Sequence, residues 1–221
     1  MENGHIVLPD QKNYEYGYEF AYRLACEQLA KVEDIEQLCH KSDAQYSRVT
    51  DFQKIVTLEY LSRTYQVTFP DIKVSLPDSD EEVPIKDKVL ILHYLTLAKG
   101  TPLTGDLITF KELPEGSSYF PTFVKRTIKP ILNHFGDEPG LLMGIAERLG
   151  GHKADYGDVA VTVNAFSHVP VTLVLWRGDE EFAPEGSVLF DSTISDYLQT
   201  EDITVLCESI VWQLVRYLKE V

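Results

Sequence analysis

A segment of the chain that contains cations but no acids is the first candidate for chemistry. Asp and Glu make up 35 of the 221 residues, yet none occurs between Gly116 and Gly136. This acid-free segment carries Lys125, Arg126 and Lys129, and on a helix the two lysines share one face. In a protein that otherwise repels anions, such a cluster is where a carboxylate or phosphate could be held. The alternative is a surface helix whose cations neutralise acidic loops elsewhere.

The histidines offer a second kind of chemistry. None of them pairs at a spacing typical of metal sites, so no zinc motif is indicated. His93 lies within the apolar string VLILHYLTL, and in a helix it would be buried or at the edge of a groove. A core histidine is the commoner explanation, whereas a histidine lining a cavity could be an axial metal ligand or transfer a proton. The others are His5, His40, His134, His152 and His168.

Cysteines and clustered carboxylates give weaker signals. Cys26, Cys39 and Cys207 are odd in number and unclustered, which excludes a disulfide framework and an iron–sulfur or zinc cluster. The unpaired cysteines indicate a reducing cytosol. A nucleophilic Cys–His pair stays an open alternative, because the two residues of such a pair come together only in the folded protein. The acids over 179–181 could bind Mg²⁺ or Ca²⁺, but EF-hand spacing is absent and a turn is the simpler interpretation.

Several function classes are excluded by missing motifs and by charge. No GxxxxGKS/T, GxGxxG or GxSxG string is present, which argues against P-loop NTPases, protein kinases, dinucleotide-dependent dehydrogenases and serine hydrolases. The net charge of −15 and the pI near 4.7 argue against nucleic-acid binding, which depends on cations that neutralise phosphates. No window approaches the roughly 20 consecutive apolar residues of a membrane span, and no signal pattern is found. We therefore expect a cytoplasmic protein that binds neither membranes nor nucleic acid.

Hydrophobic periodicity predicts the elements that must position these residues. With 44% hydrophobic residues, the chain can bury a substantial core. Apolar residues at three- and four-residue steps predict helices over 14–31 (with Asn13 as N-cap), 33–40, 85–98, 122–135, 141–149 and 200–219. Runs rich in β-branched and aromatic residues predict strands over 54–61, 63–69, 107–113, 158–166, 169–176 and 188–190. The first two strands are expected to pair, and 158–166 with 169–176 is expected to form an antiparallel hairpin.

The order of these elements indicates the fold class. Strands and helices do not alternate regularly, so we expect an α+β fold with an antiparallel sheet packed against several helices. The length fits a helical N-terminal extension over 1–50 followed by a single α+β domain over 51–221, which ends in a helix. That last helix begins with Thr200, Glu201 and Asp202, which supply a cap and the negative charge that a helix dipole favours.

Long strings between about Pro84 and Glu208 carry a family resemblance. They are VLILHYLTLAKGTPLTGDLITFKELPEGSSYFPTF, RTIKPILNHFG, ERLGGHKADYGD, VPVTLVLWRGDEEFAPEGSVLF and FDSTISDYLQTED. Through these strings the chain resembles the uncharacterised DUF3786 domain family of anaerobic bacteria and archaea. Members are often associated with iron–sulfur and corrinoid-dependent one-carbon or dehalogenation systems. This chain lacks their added cysteine-rich cluster domain and the DxHxxG signature of corrinoid methyl carriers, so neither an iron–sulfur cluster nor a methyl-carrier role is expected.

The resemblance implies a non-catalytic or accessory binding protein of anaerobic metabolism that holds a corrinoid or another tetrapyrrole. Such a ligand has an apolar rim, amide or carboxylate side groups and, in corrinoids, a phosphate. The implied partners are corrinoid or iron–sulfur proteins of one-carbon or dehalogenation systems. The predicted cofactor contacts are His93, as first choice for a metal ligand, and Tyr119, Phe123, Lys125, Arg126 and Trp176.

Two other classes of function stay open. One is an enzyme acting on a small anionic substrate, with Lys125 and Arg126 holding the anion and His93 or an acid of 179–181 as acid or base. The other is a scaffold that binds a partner through its acidic surface. A cavity with a few convergent polar groups would favour a ligand, and its absence would favour the scaffold.

Overall fold

The structure, a computed structural model, describes residues 12–220, with side chains from residue 16 onwards. His5 and the predicted cap Asn13 lie outside the described side chains. Within this range the chain forms two antiparallel sheets and the helices that cover them, which confirms the predicted α+β class, with two sheets where one was expected. The helices are α1 (Lys12–Leu29), α2 (Ile35–Ser42), α3 (Ile85–Leu97), α4 (Gly116–Phe123), α5 (Lys129–Phe135), α6 (Leu141–Ala146) and α7 (Thr200–Leu218).

The first sheet has the strand order β1-β2-β3-β4. Its strands are β1 (Gln45–Arg48), β2 (Lys54–Tyr60), β3 (Arg63–Phe69) and β4 (Lys73–Ser75). β2 and β3 form the predicted pair, with Tyr60 opposite Arg63. Leu61 and Ser62 form the turn between them with positive φ angles of 48° and 59°, the geometry that suits the right-handed twist of a hairpin. The Leu61 N–H donates to the Ala165 carbonyl oxygen (3.0 Å), which ties this turn to the second sheet.

The second sheet has the strand order β5-β9-β8-β7-β6, with neighbours antiparallel. Its strands are β5 (Leu107–Thr109), β6 (His152–Ala154), β7 (Val159–Phe166), β8 (Val169–Trp176) and β9 (Glu185–Asp191). β7 and β8 form the predicted hairpin across Ser167 and His168. β8 is the central strand and is buried along most of its length, which explains its nearly continuous apolar sequence.

α3, the helix that carries His93, is enclosed by protein on all sides. It packs against α1, α2 and α7, and its buried side chains point in every direction around its axis, as expected of a helix surrounded by protein. α7 is buried on all sides over 202–207 and is exposed on one side further along, where Trp212 is 46% exposed. None of the helices found over 12–220 is both long and apolar enough to cross a membrane.

A column of stacked aromatic rings joins the two sheets through the core. Tyr60 of β2 stacks on Phe166 of β7 (4.8 Å between ring centroids), and Phe166 stacks on Tyr94 of α3 (4.1 Å). Tyr94 then contacts Tyr197 (5.9 Å), and Tyr197 stacks on His168 (4.9 Å). Stacked rings add to the stabilisation that burial alone provides. This aromatic column therefore fixes the sheets and α3 relative to one another.

The strand predicted over 107–113 is shorter in the structure. It ends at Thr109, because the Glu112 carboxylate accepts hydrogen bonds from Thr109 N (2.7 Å) and Oγ1 (2.8 Å). The bond from the Thr109 N–H is one half of the capping box that starts a 3₁₀ turn over Phe110–Glu112. The short strands β1, β4 and β6 were not predicted, because three or four residues are too few to show an alternating pattern.

The helix predicted over 122–135 begins earlier and is irregular. α4 starts at Gly116, and a π-turn over Val124–Ile128 separates it from α5. In that turn the Lys129 N–H donates to the Val124 carbonyl oxygen, five residues back. Pro130 follows and has no N–H, so the backbone widens at a point where an α-helical hydrogen bond could not form.

Candidate functional site

The structure pairs one predicted site residue with a carboxylate that is distant in sequence. His93 lies on α3, and its Nδ1 is 2.9 Å from Oδ1 of Asp202 in the first turn of α7. An ionised carboxylate can only accept hydrogen bonds, so in the neutral ring Nδ1 carries the proton and donates it. Nε2 then carries the lone pair. The contact therefore fixes both the orientation and the tautomer of the imidazole.

The His93 ring lines a cavity of about 250 Å³ between α1, α3 and the start of α7. The other lining residues are Ala21, Leu24 and Gln28 of α1, Thr96 and Leu97 of α3, and Gln199. The His93 side chain is 27% exposed, and no described residue makes a hydrogen bond to its Nε2. Nε2 is also not among the buried unpartnered polar atoms of the described residues, so it is reachable from outside. The structure thus places His93 at a groove edge, one of its two predicted environments.

Asp202 is only 8% exposed, and its second oxygen is unusual. Oδ2 is buried and has no hydrogen-bond partner among the described residues. A buried acceptor without a partner costs about 1–3 kcal/mol, so a hydrogen-bond donor supplied to this oxygen would be favourable. The position of Asp202 in the first turn of α7 offsets part of the cost, because the positive end of the helix dipole stabilises an anion there.

Asp191 ties together the two loops that flank the site. Its Oδ2 accepts hydrogen bonds from the N–H groups of Thr104 (3.1 Å) and Gly105 (2.8 Å), in the loop that follows α3. Its Oδ1 accepts from the N–H (3.1 Å) and hydroxyl (2.8 Å) of Thr193, in the segment that leads to α7. Asp191 therefore holds the loop that follows α3, the helix that carries His93, against the segment that leads to α7.

The two predicted cationic contacts have different surroundings. Arg126 Nη2 lies 2.6 Å from Glu208 Oε2 on α7, and the two side chains are 24% and 26% exposed. Burial raises the pKa of the Tyr18 hydroxyl, and the nearby Arg126 guanidinium partly opposes that rise. Lys125 is exposed and forms no ion pair with the described residues. Arg126 is therefore already neutralised by Glu208, while Lys125 points to solvent.

The three predicted aromatic contacts lie in three environments. Phe123 is 1% exposed and stacks on Phe110 with 3.9 Å between the ring centroids, so it belongs to the core. Tyr119 is partly buried against that core. Trp176 is 41% exposed at the end of β8. Of the six predicted residues only His93 lines the α1–α3–α7 cavity, so the structure does not gather the six around it.

The acids over 179–181 form a turn, as the sequence indicated, and they lie elsewhere. Asp179 Oδ1 accepts hydrogen bonds from the N–H groups of Glu181 and Phe182 (both 2.8 Å), and these bonds lower the pKa of Asp179. The turn leads into β9 and lines a separate open cavity of about 650 Å³. The acid or base that the enzyme hypothesis placed here therefore does not share a cavity with His93.

Metal clusters and reactive thiols are not indicated. Over the described range, no group of three or more His, Cys, Asp or Glu side chains is placed to hold a metal ion. Cys39 and Cys207 are buried, and burial raises the pKa of Cys39 to about 11 and that of Cys207 higher still. These thiols stay protonated near neutral pH and are poor nucleophiles.

From the sequence, His93 is predicted to contact a ligand, whereas Asp202 is not. Asp202 is expected only as a negative charge at the start of the last helix, and that position is confirmed. The two residues are 109 positions apart, and nothing in either local sequence signals their contact. The residue preceding α7, Gln199, occupies the N-cap, and Thr200 instead donates its hydroxyl to the Pro114 carbonyl oxygen (2.6 Å).

Fold and site together define an α+β protein of two antiparallel sheets with a carboxylate-oriented histidine at a helix-lined cavity. The chain belongs to the family described as Domain of unknown function (DUF3786), whose model matches residues 34–213. No curated protein and no solved structure matches the chain. The family match covers α3 and all but the last five residues of α7, and it begins after α1, which forms one wall of the His93 cavity. The division into an extension over 1–50 and a domain over 51–221 stays a prediction.

Proposed function

We propose that this protein binds a ligand through Nε2 of His93. The observation that carries the proposal is the hydrogen bond from Nδ1 to Asp202, which leaves Nε2 as the free, lone-pair-bearing nitrogen at a cavity. Histidines that coordinate metals commonly donate their other ring N–H to a carboxylate, which raises the basicity of the coordinating nitrogen. The first ligand class is therefore a metal centre with one open axial position, and a corrinoid or another tetrapyrrole is the leading candidate.

The residues present fit one axial ligand, and they do not form a pocket that would enclose a macrocycle. The cavity measures about 250 Å³, whereas sites that enclose drug-sized ligands measure roughly 300–1,000 Å³. A tetrapyrrole would therefore have to lie across the mouth of the cavity. The mouth includes Leu24, which is 40% exposed and follows Phe20 (54%) and Tyr16 (69%) along one face of α1. This apolar stripe suits the rim of such a ligand.

The remaining parts of the proposal come from the family resemblance. They are an accessory role in anaerobic metabolism and partners among the corrinoid or iron–sulfur proteins of one-carbon or dehalogenation systems. A cytoplasmic location is proposed separately, from the unclustered cysteines. Lys125, Arg126, Tyr119 and Trp176 would contact the ligand only if it extended well beyond the His93 cavity.

A spectroscopic titration tests the proposal. Hydroxocobalamin and haemin are added separately to the full chain, and the visible spectrum is followed together with co-elution on gel filtration. Coordination by imidazole shifts the visible bands, and His93→Ala should abolish the shift. His152→Ala is the matched control, because His152 is exposed on β6, away from the cavity. Unchanged spectra without co-elution, or equal shifts in both variants, would reject axial coordination by His93.

The small volume of the cavity favours a second candidate, an enzyme or receptor for a small molecule. In that case His93 Nε2 would accept a proton or a hydrogen bond, and the amides of Gln28 and Gln199 would supply polar contacts. A thermal-shift screen of small polar compounds tests this candidate, because a ligand that binds only the folded state raises its stability. A stabilising compound should lose its effect in His93→Ala and keep it in His152→Ala. If every stabilising compound acts equally on the two variants, the cavity is not its site.

A further inference from the structure

A long groove lies at one end of the second sheet, away from the His93 cavity. It consists of three adjoining cavities of about 650, 400 and 360 Å³. The first and third share Asp137 and Arg177 in their linings, and the second and third share Gly140, so neighbouring cavities adjoin at common residues. We call this surface the sheet-end groove; its lining comes from the segments 136–143, 153–160 and 177–184.

The sheet-end groove is strongly negative. Its lining contains seven carboxylates and two cations, a local net charge of −5 within a chain whose total is −15. One of the cations, Lys153, is already paired with Asp155 at 3.4 Å. The carboxylates are those of Asp137, Glu138, Asp155, Asp158, Asp179, Glu180 and Glu181. Because the groove is open to solvent along its length, its field attracts cations at a distance.

The same groove exposes large apolar side chains. Phe182 is 70% exposed, Tyr156 is 46% exposed and Leu141 is 44% exposed. Phe182 is held in this position by its backbone, since its N–H donates to Asp179 Oδ1 (2.8 Å) and its carbonyl oxygen accepts from Asp179 N (2.9 Å). Each of the three lines a different one of the adjoining cavities, and large apolar side chains exposed among polar groups are typical of protein interfaces.

We propose that the sheet-end groove binds a cationic protein segment in which Arg or Lys residues are interleaved with aromatic or aliphatic residues. The carboxylates complement the cations, and Phe182, Tyr156 and Leu141 contact the apolar residues between them. A second copy of this chain would bring the same negative surface and be repelled. Nucleic acid would be repelled for the same reason. The proposal is independent of the His93 site.

The probe is a fluorescent twelve-residue peptide that alternates Arg with Phe or Leu, and binding to the full chain is measured by fluorescence anisotropy at 0.15 M salt. The double variant Glu180→Lys/Glu181→Lys should weaken binding about tenfold or more, and Phe182→Ser should do the same. Both glutamates are exposed and their side chains form no hydrogen bond with the described residues, so the variants should keep the wild-type melting temperature.

The matched control is Asp71→Lys/Asp80→Lys, which changes the net charge equally on an exposed surface outside the groove. It should weaken binding less than threefold, because screening limits the reach of a charge to about 8 Å at this salt concentration. Equal weakening by both double variants would show general attraction to an acidic protein and overturn the proposal. Self-association in sedimentation that Phe182→Ser abolishes would also overturn it, in favour of a second copy. His93→Ala should leave peptide binding unchanged. A failure of the sheet-end groove proposal can therefore be distinguished from a failure of the His93 proposal.

Discussion

Replacing Asp191 by Asn should destabilise the whole protein and loosen the His93 site. In the wild type, Oδ2 of Asp191 accepts from two backbone N–H groups and Oδ1 accepts from the N–H and hydroxyl of Thr193. Asn keeps an oxygen for Thr193 but turns an NH₂ group towards the N–H groups of Thr104 and Gly105. Two charge-assisted bonds are lost, and the N–H groups of Thr104 and Gly105 are left facing the NH₂ group, which is itself a donor. Water cannot replace the lost bonds, because Asp191 is only 2% exposed.

The expected cost follows from these contacts. Hydrogen bonds to a charged group contribute about 1.5–3 kcal/mol each, and part of the loss is recovered by relaxation of the loop, so we expect about 3 kcal/mol. For a chain of this size that lowers the melting temperature by roughly 6–12 °C. Asp106→Asn is the matched control: Asp106 lies in the same loop and is exposed, and its carboxylate makes no hydrogen bond or ion pair with the described residues. Its substitution should therefore cost less than about 0.5 kcal/mol.

The pH dependence of stability distinguishes the effect of the charge of Asp191 from the effect of its shape. Burial alone would raise the pKa of this carboxyl, but the hydrogen bonds from Thr193, Gly105 and Thr104 outweigh burial and lower it. A carboxyl whose pKa is lower in the folded state stabilises the protein above its unfolded pKa of about 4, and that stabilisation is lost as the pH falls through the folded value.

The assay is denaturant unfolding of wild type and Asp191→Asn at several pH values. The difference between their free energies of unfolding should be largest near pH 7 and shrink below about pH 4. A difference under about 0.5 kcal/mol at pH 7, or one that stays constant down to pH 3, would refute the reasoning. Any ligand found for the His93 cavity should also bind this variant more weakly, since Asp191 connects the loops next to α3 and α7.

Three further predictions concern the core. Phe166→Ala removes the central ring of the aromatic column and should cost about 3–5 kcal/mol in denaturant unfolding, whereas Phe166→Leu should recover more than half of that loss. Tyr60→Phe removes the hydroxyl that donates to Asp87 (3.1 Å) and should cost about 1–2 kcal/mol; a neutral result would mean that water replaces this bond. Cys39 should react slowly with iodoacetamide at pH 7.5, because burial raises its pKa to about 11, and fast labelling of the folded protein would contradict this.

The sequence predicted strands and helices best where the apolar pattern was long. The predicted bounds of β3 and β8 match the structure, and the last helix differs by one residue, because each carries its own periodicity over seven or more positions. The turn Leu61-Ser62 could not be predicted, since neither residue favours positive φ and its contact with Ala165 holds it.

The candidate site was harder to predict than the fold. The apolar string around His93 predicts a position in the core or at the edge of a groove. The cavity that His93 lines depends on α1, and the orientation of its ring depends on Asp202, and both are distant from His93 in sequence. Phe123 illustrates the opposite problem: its place beside the cations Lys125 and Arg126 suggested a ligand contact, whereas it is stacked in the core. Local composition does not distinguish a binding aromatic from a core aromatic, because both are apolar and both sit beside polar neighbours.

The aromatic column also determines what optical spectroscopy of this protein reports. Trp176 and Trp212 are 41% and 46% exposed, so indole fluorescence follows the surface and its solvent. The rings of Tyr60, Tyr94 and Tyr197 are fixed in the interior, in contact with Phe166 and His168. Loss of core packing would therefore register first in the tyrosine bands of near-ultraviolet circular dichroism, with little change in tryptophan emission.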